Sequence, residues 1–229
     1  MMGEEVGGLL VASQAQGHLN ADAVGFEATC KRVSRGLIMV PGGWRRLSLG
    51  KFTHPKQWPT ISKAEFVKEG FPVFGANVVI GRYFSSNHKE PIIVVTCRGA
   101  TCGEVSMTPA MSYITGNAMA LDNIDPKEAE TSFLFYALKH RGLFDIISGS
   151  AQPQIIGKDI RAVSINLPPL PEQRKIAEIL GTWDRAIELT SALLEAARTR
   201  KRGLMQILLT GKCRFSEFEG QPWREVWGT

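Results

Sequence analysis

Cysteine and histidine are scarce in this chain, four of each in 229 residues. Cys30, Cys97, Cys102 and Cys213 form no C-x-x-C pair, and His18, His54, His88 and His140 lie at no ligand spacing from them. A metal site is therefore not expected. Cys97 and Cys102 could close a disulfide in an oxidising compartment, but reduced thiols are the expectation for a cytosolic chain. No apolar run approaches the ~20 residues of a membrane span. Glu4 and Glu5 stand where a secretory leader would be basic, so a cytoplasmic location is expected by default. A glycine-rich nucleotide loop is also lacking, since Gly149-Ser150-Ala151 has neither the lysine nor the spacing of one. These gaps argue against metal, nucleotide and membrane chemistry, and no cofactor is expected.

What the chain does have is an apolar stripe near its C-terminus. Ile176, Leu180, Trp183, Ile187, Thr190, Leu194, Ala197, Lys201, Leu204 and Leu208 are spaced alternately four and three apart. That is an unbroken heptad register with one charged member, Lys201. Pro171 suits the first helical position, Glu172 sits in the first turn, and Gly211 is placed as a stop. A helix over residues 171–210 would run roughly 60 Å at ~1.5 Å per residue. So long a coiled-coil stripe calls for a partner helix, and the chain offers no second one like it. The helix-pairing positions are thus Ile176, Leu180, Trp183, Ile187, Thr190, Leu194, Ala197, Leu204 and Leu208. The polar members Thr190 and Lys201 suit a specific register.

Ahead of the stripe, 44% apolar and 21% charged residues are enough for one ordinary core. The net charge of +5 favours an acidic partner such as nucleic acid. Residues 1–40 are rich in Gly and Ala and read as a poorly ordered extension or part of a short helix ending near Met39. Ser62 caps a short helix through Lys68. Strand-like runs follow at residues 71–74, 78–84, 91–96 and 112–121. Asp125-Pro126 opens a helix that Gly142 ends, with Ala129, Phe133, Tyr136 and Ala137 on one face. Strands with interspersed helices predict an α+β fold, a globular body over residues 41–166 followed by the long helix over 167–212. In the last stretch, 213–229, Gly220-Gln221-Pro222-Trp223-Arg224-Glu225-Val226 echoes Gly42-Gly43-Trp44-Arg45-Arg46-Leu47. With the helix, the echo suggests a repeating unit of about 180 residues that stops as a second copy would begin.

At Leu167-Pro168-Pro169-Leu170-Pro171-Glu172-Gln173-Arg174-Lys175-Ile176-Ala177 the sequence resembles the specificity subunit of type I restriction–modification systems. The same likeness runs through Arg200-Lys201-Arg202-Gly203-Leu204-Met205-Gln206 and Leu209-Thr210-Gly211-Lys212. Upstream, Pro72-Val73-Phe74-Gly75-Ala76-Asn77, Arg98-Gly99-Ala100-Thr101-Cys102-Gly103, Ile114-Thr115-Gly116-Asn117-Ala118 and residues 148–154 are similar to its target recognition domain. Members of that family usually hold two recognition domains, each followed by a long helix, the two helices packed antiparallel as a spacer. The resemblance implies a non-catalytic subunit that reads one half of a split target in double-stranded DNA. It implies docking to methyltransferase (modification) subunits and, in the full complex, to the restriction subunit. With one domain and one helix, the resemblance implies either a short subunit that pairs with itself or with a second recognition chain, or a truncated product.

Contacts to DNA need cations for phosphates and amide or guanidinium groups for base edges. Lys51, Lys56 and Gln57 lie in an acid-free stretch with loop chemistry. Asn77, Arg82, His88 and Lys89 flank a strand pair, and Arg98 stands beside a glycine at the end of a strand. Gln152, Gln154 and Lys158 lie ahead of the long helix. For each group an ordinary solvated surface stays open as the alternative, as it does for the helix cluster Arg198, Arg200, Lys201 and Arg202. Two other functions remain open on the sequence: a stand-alone DNA methyltransferase or nuclease with an appended coiled coil, and a coiled-coil scaffold without a DNA role. Asn166-Leu167-Pro168-Pro169 is superficially similar to the Asn-Pro-Pro-aromatic tetrad of amino methyltransferases. The inserted leucine and missing aromatic favour a plain strand-to-helix connection instead.

Overall fold

The computed structural model describes residues 40–149, 152–222, 224 and 225. The expected N-terminal extension, residue 40 apart, lies outside them, as do Trp223 and Val226 of the C-terminal echo. From Val40 onward the chain has α+β architecture with three sheets. The largest is antiparallel, in the order β2 (His54–Gln57), β8 (Ala118–Asp122), β5 (Ile93–Thr96), β6 (Val105–Met107). A second pairs β4 (Val78–Tyr83) with β3 (Phe71–Gly75), and β3 runs parallel to the short β7 (Tyr113–Ile114). The third joins β1 (Arg45–Ser48) to β9 (Ser164–Leu167).

Strand β5 explains why the large sheet sits at the centre. All four of its residues are buried, the apolar run Ile93-Val94-Val95 and the polar Thr96, so the strand has no solvent face. Ile93 and Val95 point into the main core with Leu49, Phe52, Leu134 and Leu138. Val94 points the other way, into a smaller cluster with Phe74 and Ile114. Its neighbour β8 divides its side chains in the same manner, Met119 and Leu121 to one side, Ala118 and Ala120 to the other. The period-two alternation of a strand thus feeds two cores at once.

The runs expected at 71–74, 78–84 and 91–96 correspond to β3, β4 and β5. Other expectations are corrected. Residues 112–121 are not one strand. Thr115 donates its N–H to Phe74 O and Ala118 closes a turn on Thr115 O, so β7 and β8 belong to different sheets. Ser62 caps only a single 3₁₀ turn, Lys63–Glu65, through a reciprocal capping box with Glu65. The segment at Asp125-Pro126 is a turn, with Asp125 Oδ1 accepting from the Lys127 N–H. The helix, α1, runs Thr131–Arg141. It starts late because Gln173 occupies the Glu128 carbonyl and the Glu130 N–H, groups a continuous helix would need. Its buried face is Phe133, Leu134 and Leu138, while Tyr136 and Ala137 are half-buried. Gly142 ends α1 at φ 69°, where a side chain would be strained.

A short helix α2 (Gly157–Ala162) and strand β9 lead to α3, Leu170–Leu208, 39 residues long. Pro169 stands at the cap, so Pro171 takes the second helical position rather than the first. Beyond the C-terminal end, Gly211 adopts φ 69°. Within α3 only Gln173 and Ala177 are buried.

Candidate nucleic-acid interface

Lys56 and Gln57, expected in a loop, lie on β2, an edge strand of the large sheet. Alternation along β2 buries Pro55 and exposes His54 and Lys56. The exposed side opens on a groove of about 830 Å³ lined by His54, Lys56, Trp58, His88, Lys89 and Asp122 among others. Lys56 Nζ rests 3.8 Å from the centroid of the Trp58 ring, a cation–π contact. The indole is held by its own N–H, which donates to Asp122 Oδ2 at 3.1 Å. The other carboxylate oxygen of Asp122 lies 2.9 Å from His88 Nε2, and His88 packs edge-on to Trp58 at 5.2 Å. His88 Nδ1 meets Asn87 Oδ1 at 2.7 Å. Asn87 in turn bonds both the N–H and the carbonyl region of the β7 edge, through Ile114. Both ring nitrogens of His88 are therefore engaged inside the protein. The histidine builds the floor of the groove, and Lys56 and Lys89 are its exposed cations.

A second set meets at a loop apex. The β5–β6 connection carries Arg98, and the segment before α2 returns alongside it. Arg98 and Gln154 form an antiparallel bridge, Gly99 N–H donates to Pro153 O, and Ile155 N–H donates to Cys97 O. Arg98 is thus exposed beside Gln152 and Gln154, which lie far from it in sequence. Gly99 turns the chain at φ 90° with open space about it. Asn77 joins this region through a hydrogen bond to Glu104 at the end of the same loop. Beneath the apex, Cys97 and Cys102 are buried free thiols. Burial first, then the neighbouring Cys102, pushes the Cys97 thiol up to about 12, with Arg98 opposing. A thiol so placed is a packing group rather than a nucleophile.

The remaining residues fall elsewhere. Lys51 is exposed on the 3₁₀ turn Leu49–Lys51, and Lys158 is exposed on α2. Those two elements pack together, with Gly50 against Arg161. Arg82 on β4 donates to Gly70 O at 2.8 Å, and Gln57 spends its amide on Gly116 O at 2.8 Å. Sequence reasoning missed Trp58 and Asp122 as a pair. They are 64 residues apart, and no local signal joins them.

On α3 the heptad residues behave differently from the body's apolar residues. Ile176 packs partly against the main core. From there outward the stripe is open to solvent, with Trp183 54% exposed and Ile187 61% exposed. Among the described residues, no helix is long and apolar enough to cross a membrane.

Residues 41–198 match the family described as Type I restriction modification DNA specificity domain. The chain belongs to that family. The specificity domain is a non-catalytic module, and among the described residues no three His, Cys, Asp or Glu gather as they would around a metal ion. The chain is 25% identical to the type I restriction enzyme MjaVIII specificity subunit of Methanocaldococcus jannaschii, over 76% of this chain and 43% of that protein. It is 27% identical to the type I restriction enzyme EcoprrI specificity subunit of Escherichia coli, over 68% and 39% respectively. The fold is shared with the type I restriction–modification S subunit from M. genitalium: TM-score 0.64, 23% identity, 76% of this chain and 48% of that one. The specificity domain described here thus spans less than half the length of each of these relatives.

Proposed function

We propose that this chain is a DNA-recognition element that reads one half of a bipartite target and docks modification subunits. The observation that carries the reading is the coexistence, within one specificity domain, of two clusters of exposed basic and amide side chains and a long helix with a bare heptad seam. Arg98, Gln152 and Gln154 supply guanidinium and amide groups suited to guanine and adenine edges. Lys56 and Lys89 in the groove, with Lys51 and Lys158, are suited to phosphates. Asn77 and Arg82 stand at the margins, His88 and Gln57 as supports.

Self-association through the seam Leu180, Trp183, Ile187, Thr190, Leu194, Ala197, Leu204 and Leu208 belongs to the same proposal, with Ile176 at its inner end. Antiparallel pairing of two identical chains would place two recognition bodies in symmetric orientation, and the target would read as an inverted repeat. A second apolar line favours a further helical partner. Ile179, Leu189, Leu193 and Ile207 are all exposed, each one residue before a member of the first seam and so about 100° around the helix. That line is offered to a helix of the modification subunit.

The test is reconstitution. The purified chain binds no S-adenosylmethionine by itself and confers sequence-specific DNA methylation when a modification subunit is added. A chain that methylates or cuts DNA alone refutes the reading in favour of an enzyme. Failure to bind any duplex, even with that subunit, leaves a scaffold. Two unrelated half-sites in the modified sequence would exclude self-pairing and require a second recognition chain.

A further inference from the structure

Gln173 is a fully buried polar side chain in a helix that is otherwise almost wholly exposed. Its amide is nearly saturated. Oε1 accepts from the Glu130 N–H at 2.8 Å, and Nε2 donates to Glu128 O at 2.9 Å and to Pro168 O at 2.8 Å. Those three partners belong to two different parts of the fold. Glu128 and Glu130 form the approach to α1, where the Glu130 side chain also caps that helix by accepting from the Phe133 N–H. Pro168 belongs to the link between β9 and α3. One side chain thus ties the first turn of α3, the start of α1 and the strand that delivers α3 into a single unit.

A second tie lies further along the same pair of helices. Tyr136 Oη donates to Asp184 Oδ2 at 2.8 Å. Eleven residues of helix separate Gln173 from Asp184, about 16 Å at ~1.5 Å per residue. Two fixed points that far apart define a direction, whereas one would leave a pivot. Gln173 also lies three residues before Ile176, in register with the heptad seam. The stripe that meets the body at its inner end is the one laid bare beyond Leu180, so the lock fixes the helix's rotation as well as its angle.

We propose that Gln173 is the positioning residue that sets how α3 leaves the recognition body, and thereby the spacing between the two half-sites that a paired molecule reads. The proposal rests on the recognition reading given above. Two measurements keep their failures apart. In a Cys30→Ser, Cys213→Ser background, spin labels at Lys139→Cys on α1 and Arg198→Cys on α3 report the body-to-helix distance, with unlabelled chain in excess to suppress signals between chains. The unaltered lock gives one narrow distribution. Gln173→Met, of similar volume but without the hydrogen bonds, should widen it at least twofold, and Tyr136→Phe should widen it less. Should Gln173→Met fail to fold, Gln173→Asn, which keeps an amide but lacks the reach to all three partners, takes its place with the same expected widening. Unchanged widths overturn the proposal.

The second measurement uses the complex with its modification subunit on a library of targets differing only in spacer length. The wild type should select one length by at least tenfold. Gln173→Met should accept adjacent lengths within threefold, with binding to an isolated half-site unchanged. A widened distribution with wild-type spacer selectivity overturns the link to half-site spacing. If the wild-type complex ignores DNA altogether, the recognition reading fails and the spacing role falls with it, while the distance measurement still decides the lock.

Discussion

The recognition body and the outer length of α3 use apolar residues in opposite ways. In the body, Leu134, Leu138, Ile93 and Met119 are sealed between a helix and a sheet, and each is at most 2% exposed. On α3, Trp183, Ile187, Leu193 and Leu194 are at least half exposed. Burial of each such side chain is worth about 1.5–3 kcal/mol. The body has collected that stabilisation within one chain, whereas the outer helix leaves those side chains in solvent. Position depends on the same difference. Groove and apex residues are held by contacts between distant segments, while the seam is laid out by helical repetition alone.

The sharpest way to break this contrast is to place charge in the seam. Leu180→Asp with Ile187→Asp should abolish self-association, since an unpaired charge in a buried interface costs on the order of several kcal/mol. Sedimentation should show a monomer whose body melts at the wild-type temperature. A wild type that is already monomeric at micromolar concentration would sink the homodimer and leave only pairing with a different chain.

Leu134→Ala is the complementary change in the body. It should cost about 2–5 kcal/mol of stability by leaving a cavity. Denaturant unfolding of the body should move by that amount while the association constant, measured where the body is folded, stays put. A loss of association as large as that from the seam variants would show that the two regions are not separable.

Within the body, the groove can be set against the apex. Asp122→Ala leaves the His88 and Trp58 ring nitrogens without their shared acceptor, at about 1–3 kcal/mol of stability. It should also weaken DNA binding by releasing the platform under Lys56. Arg98→Ala and Gln152→Ala should leave stability alone, cost ~1–3 kcal/mol of binding each and relax the target at one base pair. Binding to cognate and single-base-changed duplexes separates these outcomes. Uniform weakening across all sequences would remove both residues from base contact.

The smallest effects belong to the groove cations. Lys56→Ala and Lys89→Ala should weaken binding to every duplex alike and lower the salt slope by about one each. A salt series on the assembled complex measures this directly. Slopes equal to wild type would move the phosphate contacts to the Lys51 and Lys158 side of the body.

Legibility followed the range of the interactions. Strands β3, β4 and β5 were readable because their apolar runs are bounded by glycine and asparagine. Strands β1, β2, β6 and β9 were not, because Arg45-Arg46-Leu47-Ser48 or His54-Pro55-Lys56-Gln57 carries no strand pattern of its own. β2 is a strand because β8 pairs with it, Lys56 opposite Ala120. The start of α1 was misplaced for a related reason, since Asp125-Pro126 has good local helix chemistry and Gln173, 43 residues later, overrides it. Basic and amide residues can be picked out as a class. Their grouping cannot, and the contact of His88 with Asp122, 34 positions away, carries no local signal.

What the sequence by itself determined is the part written in local repetition. That comprises the course of α3 from its proline-rich start to its end just short of Gly211, the heptad seam along it, and the runs of residues that identify the family. A helix satisfies its own backbone and needs only neighbours three and four positions away, so its pattern can be read without knowing the fold. What only the tertiary structure decided is the arrangement that gives those parts a direction. Trp58, His88 and Asp122 make a floor for Lys56, the β5–β6 loop and the segment before α2 bring Arg98 to the glutamines, and Gln173 aims the helix. Each of these depends on polar groups finding partners dozens of residues away, and closure over such distances is fixed by packing rather than by any repeat in the chain.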